Sequence, residues 1–277
     1  MIGNKVKQSL LLGCVLLAIF PLSSGADAGA SALDYTVTYR GVFSLGRDLQ
    51  IADVNITEQA PVEGVQTARL DVTSAGYPDV ESLYPIRYRF RSWTNTADGD
   101  LVGFETYQKT SKLRHRLYVR DGGARDVKRL DPASAPGREA LAQLDTGNWP
   151  LPPGAGEVLF DRLSLLAAVR DLDLEVGRQY ELPVTNGKER LRYQVTVERS
   201  QNIAVAGQPV AAWKVRFDGL EQNDRGNWEA AHRPIFIWFS QTPERYPLRA
   251  DNRHPIGLFR IELTRLPQLQ AVARRGS

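Results

Sequence analysis

The chain has 277 residues, 42% of them apolar and 24% charged, with a formal net charge of +3. This excludes a disordered or low-complexity chain and the one-signed charge balance of a nucleic-acid binder. One cysteine and three histidines exclude an internal disulfide and a four-thiolate zinc site, and leave little for a multi-histidine metal centre. No cofactor is expected.

Residues 1–30 read as a leader. Lys5 and Lys7 form a short basic stretch, Leu10 to Leu22 is an apolar run of 13 residues, and Ala26-Asp27-Ala28 and Ala28-Gly29-Ala30 are small-residue cleavage sites. This is the pattern of a cleavable secretory signal peptide. The run is short against the ~20 residues that span a bilayer, and no later segment replaces it, so no transmembrane helix is expected in the mature chain. Leu11-Leu12-Gly13-Cys14 resembles a lipobox, but few apolar residues precede Cys14 and the run continues past it. The expectation is a periplasmic protein without lipidation.

Alternation with period 2 dominates the mature chain, the mark of half-buried strands. Strands are expected at Leu33–Tyr39, Leu49–Thr57, Val65–Thr73, Tyr84–Trp93, Leu101–Lys109 and Leu113–Arg120. Glycine-containing turns separate them at 41–46, 64, 76–78, 98–100 and 121–123. Residues 130–156 carry five prolines and read as a Pro-rich crossing loop around Trp149, with a short helix over 135–144 entered at Pro136. Asp161 to Leu172 is the convincing helix, with Asp161 as cap and Leu163, Leu166, Ala167 and Val169-Arg170 as its stripe. Strands resume at Gln179–Val184 and Arg190–Arg199, flanking an expected two-residue turn at Asn186-Gly187. Ala211–Phe217, Pro234–Ser240, Tyr246–Asn252 and Leu258–Leu266 complete the set. The spacing predicts a mainly β fold: a curved antiparallel sheet forming a barrel or open half-barrel, with one helix at about 161–172. Residues 31–266 form one domain, and 267–277 read as a disordered tail.

The order of Tyr35-Thr36-Val37-Thr38-Tyr39-Arg40-Gly41 with Leu45-Gly46, Phe160 to Arg170, Gly177, Asn186-Gly187-Lys188, and Ile237-Trp238-Phe239-Ser240 with Tyr246-Pro247-Leu248 resembles the DUF3108 family of exported bacterial proteins. That family is of unknown function. The resemblance implies a curved antiparallel sheet with helix elements in the cell envelope, and it brings no catalytic residues with it.

No catalytic motif is present, neither G-x-S-x-G, H-E-x-x-H, P-loop nor G-x-G-x-x-G. His115 reads as a core or rim histidine; His232 and His254 lie in polar turns and are expected to face solvent. Glu221, Asp224, Glu229 and Glu244 are the carboxylates open to a glycosidase pairing, which proximity in sequence does not establish. Two constellations remain. Arg87, Arg89 and Arg91 share one strand face, and Arg114, Arg116 and Arg120 share another, with Lys188, Arg190 and Arg192 as a third row. If these faces adjoin, they suit phosphate or carboxylate; otherwise they pair with Glu105, Glu189 or Glu198 across strands. The second is an aromatic set, Tyr35, Tyr39, Tyr88, Phe90, Tyr107, Tyr193, Trp213, Phe217, Phe236 and Trp238, on the inner face as either a cavity lining or a filled core. Trp149 stands apart, as a plug of the mouth or a ligand contact. The functional expectation is a non-enzymatic binding protein for an apolar or amphipathic envelope molecule, an anionic lipid or glycolipid. Arg87, Arg89, Arg91, Arg114, Arg116, Tyr88, Phe90, Trp149, Trp213 and Trp238 are its binding residues. The alternatives are a protein-interaction module in envelope assembly and a carbohydrate-active enzyme. The expected partners are correspondingly a lipid, an envelope polysaccharide or an envelope protein, and not nucleic acid.

Overall fold

A computed structural model describes residues 31–110, 112–121, 127–150 and 157–267. The leader, the tail and part of the Pro-rich loop lie outside the described residues. Among the described residues, alternating apolar side chains form fourteen strands: β1 (Ser31–Gly41), β2 (Leu49–Glu58), β3 (Val65–Thr73), β4 (Arg87–Asn95), β5 (Leu101–Lys109), β6 (Leu113–Arg120), β7 (Val127–Leu130), β8 (Gln179–Thr185), β9 (Arg190–Val205), β10 (Gln208–Gln222), β11 (Trp228–Ala230), β12 (Ile235–Ser240), β13 (Pro247–His254) and β14 (Gly257–Leu263). The helices are α1 (Pro78–Leu83), α2 (Ala135–Asp145) and α3 (Ser164–Asp171).

The strands make one antiparallel sheet in the order β7-β6-β5-β4-β3-β2-β1-β14-β13-β12-β10-β9-β8, with β11 paired to β10 off this path. Two meanders therefore meet where β1 pairs with β14, Tyr35 opposite Leu263. The ladder does not close, as expected of an open half-barrel, but the gap is bridged. Leu159 accepts the Leu101 N–H at 3.0 Å, while Phe160 donates to Pro183 at 3.0 Å and accepts from Thr185 at 2.7 Å. The β8–β9 turn completes the seam. Gly187 has φ +84°, and a Cβ there would lie 2.4 Å from the Tyr118 ring of β6.

The concave face is filled. Leu165, Leu166 and Val169 of α3 are fully buried in one cluster with Val37, Ile56, Val195, Phe217 and Ile237 from both meanders. The helix starts at Ser164 rather than at 161, because Asp161 forms a buried turn first. Its Oδ1 accepts the N–H groups of Leu163 at 2.6 Å and Ser164 at 2.8 Å. Helix α2, capped by Ser134, lies on the convex face. There Ala140 and Leu144 bury Trp93, Val102, Leu117 and Val119 in a second, smaller core. Among the described residues three helices stand where the fold class carried one; α1 shows no periodic stripe because it has only six residues beginning at a proline. The β8–β9 hairpin also differs by one residue. Asn186 donates to Glu189 at 3.3 Å, which puts Gly187 and Lys188 at the centre of the turn.

Candidate functional site

The two arginine rows do not adjoin. Residues Arg87, Arg89 and Arg91 stand opposite Lys109, Tyr107 and Glu105 on the convex face. Arg114 and Arg116 stand opposite Gln108 and Thr106, on the face of Tyr88 and Phe90. The convex row is built into ion pairs. Arg87 donates to Glu81 of α1 at 2.7 Å, and Arg89 meets Asp71 at 3.2 Å. Arg91 donates to Glu105 at 2.6 Å and reaches Asp145 of α2 at 3.1 Å, while His115 sits 2.5 Å from the other Glu105 oxygen. Burial alone would push the Glu105 carboxyl up, but Arg91 and His115 outweigh it and hold it low. Arg249 and Arg260 share Asp251 in the same way, at 2.8 and 2.9 Å. Cross-strand register matches Arg89, Arg91 and Arg260 with carboxylates, a helix supplies Glu81 to Arg87, and Glu105 is one of the partners the sequence suggested.

The aromatic set divides between the two faces. Tyr35, Tyr39, Tyr88, Phe90, Tyr193 and Phe217 are buried in the concave core. Tyr107, Phe236 and Trp238 belong to the convex face, because the register puts Tyr107 opposite Arg89, Phe236 opposite Arg216, and Trp238 between Lys214 and Arg249. There the cations cover the rings: Arg249 lies 4.6 Å from Trp238 and Lys214 3.9 Å from Phe236. Trp213 is half-buried against the main core, with Arg245 at 5.9 Å. Trp149 packs under α2 on the convex side and so plugs no mouth on the concave one. The ten expected binding residues are therefore distributed over separate surfaces.

The polar groups that the concave face does enclose are others, and they sit at the two ends of α3. At the N-terminal end, Arg162 stands among Tyr88, Tyr193 and His232, close enough to act electrostatically on all three. Its Nε is buried and has no hydrogen-bond partner. The Tyr193 hydroxyl lies 2.8 Å from His232 Nε2, and His232 Nδ1 lies 2.8 Å from the Arg233 carbonyl. A carbonyl only accepts, so Nδ1 carries the proton and Nε2 accepts from Tyr193. Burial, with Arg162 adding to it, lowers the His232 pKa and keeps the ring neutral. His232 is not the solvent-facing turn residue expected, because it folds over Gly219, where a Cβ would lie 2.5 Å from Nε2. Neighbouring Asp161 is fully buried and already engaged, with Ser92 donating to it at 2.5 Å. Burial outweighs these bonds and raises its pKa to about 6.

At the C-terminal end, Arg170 donates to the Glu244 carbonyl through Nε at 3.0 Å and Nη2 at 2.7 Å. Its Nη1 and the Glu244 Oε2 are buried without hydrogen-bond partners. Glu58 lies near it, and burial raises the Glu58 carboxyl to about 8 despite Arg170. Of the carboxylates open to a glycosidase pairing, Glu221 and Glu229 oppose each other on the exposed β10–β11 flap, and Glu244 lies far along the chain at Arg170.

Sequence reasoning put Arg170 on the helix stripe without giving it a role, and passed over Arg162 and Glu58. Glu58 had a signal: it continues the Val54, Ile56 register that faces inward. Arg162 lies ahead of an apolar helix, and only the tertiary position of that helix brings it among Tyr88, Tyr193 and His232.

Among the described residues no helix is long and apolar enough to cross a membrane. Among solved structures, the chain is similar to a candidate lipoprotein of Parabacteroides distasonis, at 10% identity over 90% of this chain and 97% of that one, with a TM-score of 0.37. It is similar to a candidate exported protein with a YmcC-like fold from Bacteroides fragilis, at 9% identity, 91% and 100% coverage and a TM-score of 0.35. A third is the hypothetical lipoprotein YmcC of Escherichia coli, at 9% identity, 87% and 89% coverage and a TM-score of 0.31. Cys14, on which the expectation against lipidation rests, lies outside the described residues. No curated protein matches the sequence. Residues 34–264 match the family described as a protein of unknown function, DUF3108. That match spans most of the chain and all but the first three residues of the sheet, and the protein belongs to the DUF3108 family.

Proposed function

We propose that this is a periplasmic, non-enzymatic binding protein for an anionic amphiphile of the cell envelope, with Arg162 receiving the anionic group. One observation carries the reading: a guanidinium at the inner end of α3 whose buried Nε has no partner, beside the hydroxyls of Tyr88 and Tyr193. A guanidinium left in this state favours a bidentate oxyanion, carboxylate or phosphate. Because α3 fills the concave face, the acyl part of such a ligand lies outside the core. The secretory pattern of the leader supports the compartment. A docking module for envelope assembly has less to work with, since β7 is four residues long and β8 already shares bonds with Phe160.

The test is native mass spectrometry on the protein purified from its own periplasm, followed by solvent extraction, for the wild type and Arg162→Gln. The wild type is expected to retain an anionic amphiphile that the variant loses. Lysophosphatidylglycerol below its micelle concentration should also raise the melting temperature of the wild type only. A clean apo mass together with no thermal shift overturns the reading.

A further inference from the structure

We propose that the β1–β2 turn is a membrane-contacting tip, inserting Val42, Phe43 and Leu45 into the headgroup boundary of an anionic bilayer. These side chains are 69%, 76% and 90% exposed. Exposed apolar residues in such a cluster mark an interaction surface, not an ordinary turn. The turn is also rigid. Gly46 donates to Gly41 at 3.0 Å, Arg47 to Ser44 at 2.9 Å and Val42 to Ile256 of the neighbouring β13–β14 turn at 3.2 Å. The Tyr39 hydroxyl donates to Ile256 at 2.7 Å and accepts from the Phe43 N–H at 3.2 Å. Leu45 is held at φ 51°, a left-handed conformation that a leucine rarely adopts. The backbone therefore fixes three apolar side chains outward where a floppy turn would fold them back.

The surroundings select the occupant. Asp48 is engaged by two bonds from Arg40 at 2.7 Å, which leaves exposed Arg47 and Arg253, near the end of adjoining β13, to set the local charge. The wider edge agrees. Antiparallel pairing puts the β1–β2, β3–β4 and β5–β6 connections at one end of the sheet. Six of the eight large exposed apolar residues described fall there, Leu83 and Leu113 among them. Lys109 and Lys112 are exposed at the same end. Exposed Asp79 of α1 lies at this end too, but the four exposed cations outnumber it, and an apolar tip with a cationic excess fits the boundary of an anionic leaflet. Two-fold pairing of this tip with a second copy would bring like charges together, and a narrow turn falls well short of the ~1,200 Å² of a stable protein interface.

The experiment is co-sedimentation of the leaderless chain with phosphatidylcholine vesicles, with and without about 30 mol% phosphatidylglycerol. The wild type is expected to sediment with the anionic vesicles, less so as salt rises. Phe43→Ser with Leu45→Ser should weaken this about tenfold, and Arg47→Glu with Arg253→Glu should abolish the preference for anionic vesicles. Both variants keep the wild-type melting temperature, because the altered side chains are exposed. Arg162→Gln should sediment like the wild type, which separates this inference from the function proposed above. No sedimentation of the wild type, equal sedimentation of the tip variant, or a dimer abolished by that variant with no vesicle binding would each overturn it.

Discussion

At the scale of single residues, the interior is unusual for the polar groups it encloses. Asp161 accepts from the Ser92 hydroxyl and from the Leu163 and Ser164 N–H groups. Asp161→Ala strands three buried donors and is expected to cost about 2–4 kcal/mol in chemical denaturation. Glu58 and Asp161 both have folded-state pKa values above the ordinary carboxylate range, because burial penalises their charge. Their contribution is fully present below that range and is lost as pH rises, through about 6 for Asp161 and about 8 for Glu58. The melting temperature should therefore fall from about pH 5 to about pH 8, and Glu58→Gln should remove most of that fall; an equally steep fall in the variant would contradict the assignment. The arginine row on β4 was legible in the sequence because period 2 needs only one strand. Its neutralisation was legible only in part: Glu105 was among the expected partners, while Asp71, Glu81 and Asp145 reach the row from other elements.

At the scale of elements, α3 does for this sheet what a second sheet does in a sandwich: it covers the concave face. Leu166 has no exposed surface. Leu166→Ala should cost about 2–5 kcal/mol, read as a shift of the denaturation midpoint at constant slope. The seam makes a second prediction. Gly187→Ala meets the Tyr118 ring and a positive φ at once, so it should destabilise by about 1–3 kcal/mol although it lies in a surface turn. Most strands were legible from alternation, some to the residue, such as Val65–Thr73 and Leu101–Lys109. The exceptions have causes. The strand β7 is Val-Lys-Arg-Leu, too short and charged to show a period. The β9–β10 arm runs on to Val205 and from Gln208, beyond the expected ends at Arg199 and Ala211. Polar Ser200, Gln201 and Asn202 broke the alternation there, while backbone pairing across Trp213, Ala212 and Ala211 did not need it.

At the scale of the whole molecule, pairing order was the part that sequence could not show. Period 2 tells which face a side chain takes and says nothing of which strand lies beside it. The resemblance to a family supplied a curved sheet, and the join of the two meanders became visible only in the structure. That join has a consequence for how the chain comes to be folded. Asp34 and Thr264 bond across β1 and β14 although 230 positions separate them in sequence. Contacts of such separation form late, because a long loop must close before they give any return. A chain ending at Ile256 should leave β1 and β13 as bare edges and run in the void volume on gel filtration. Until its fourteenth strand is made, the growing polypeptide has nothing to pair with the open edge of its first, so the two meanders stay unjoined.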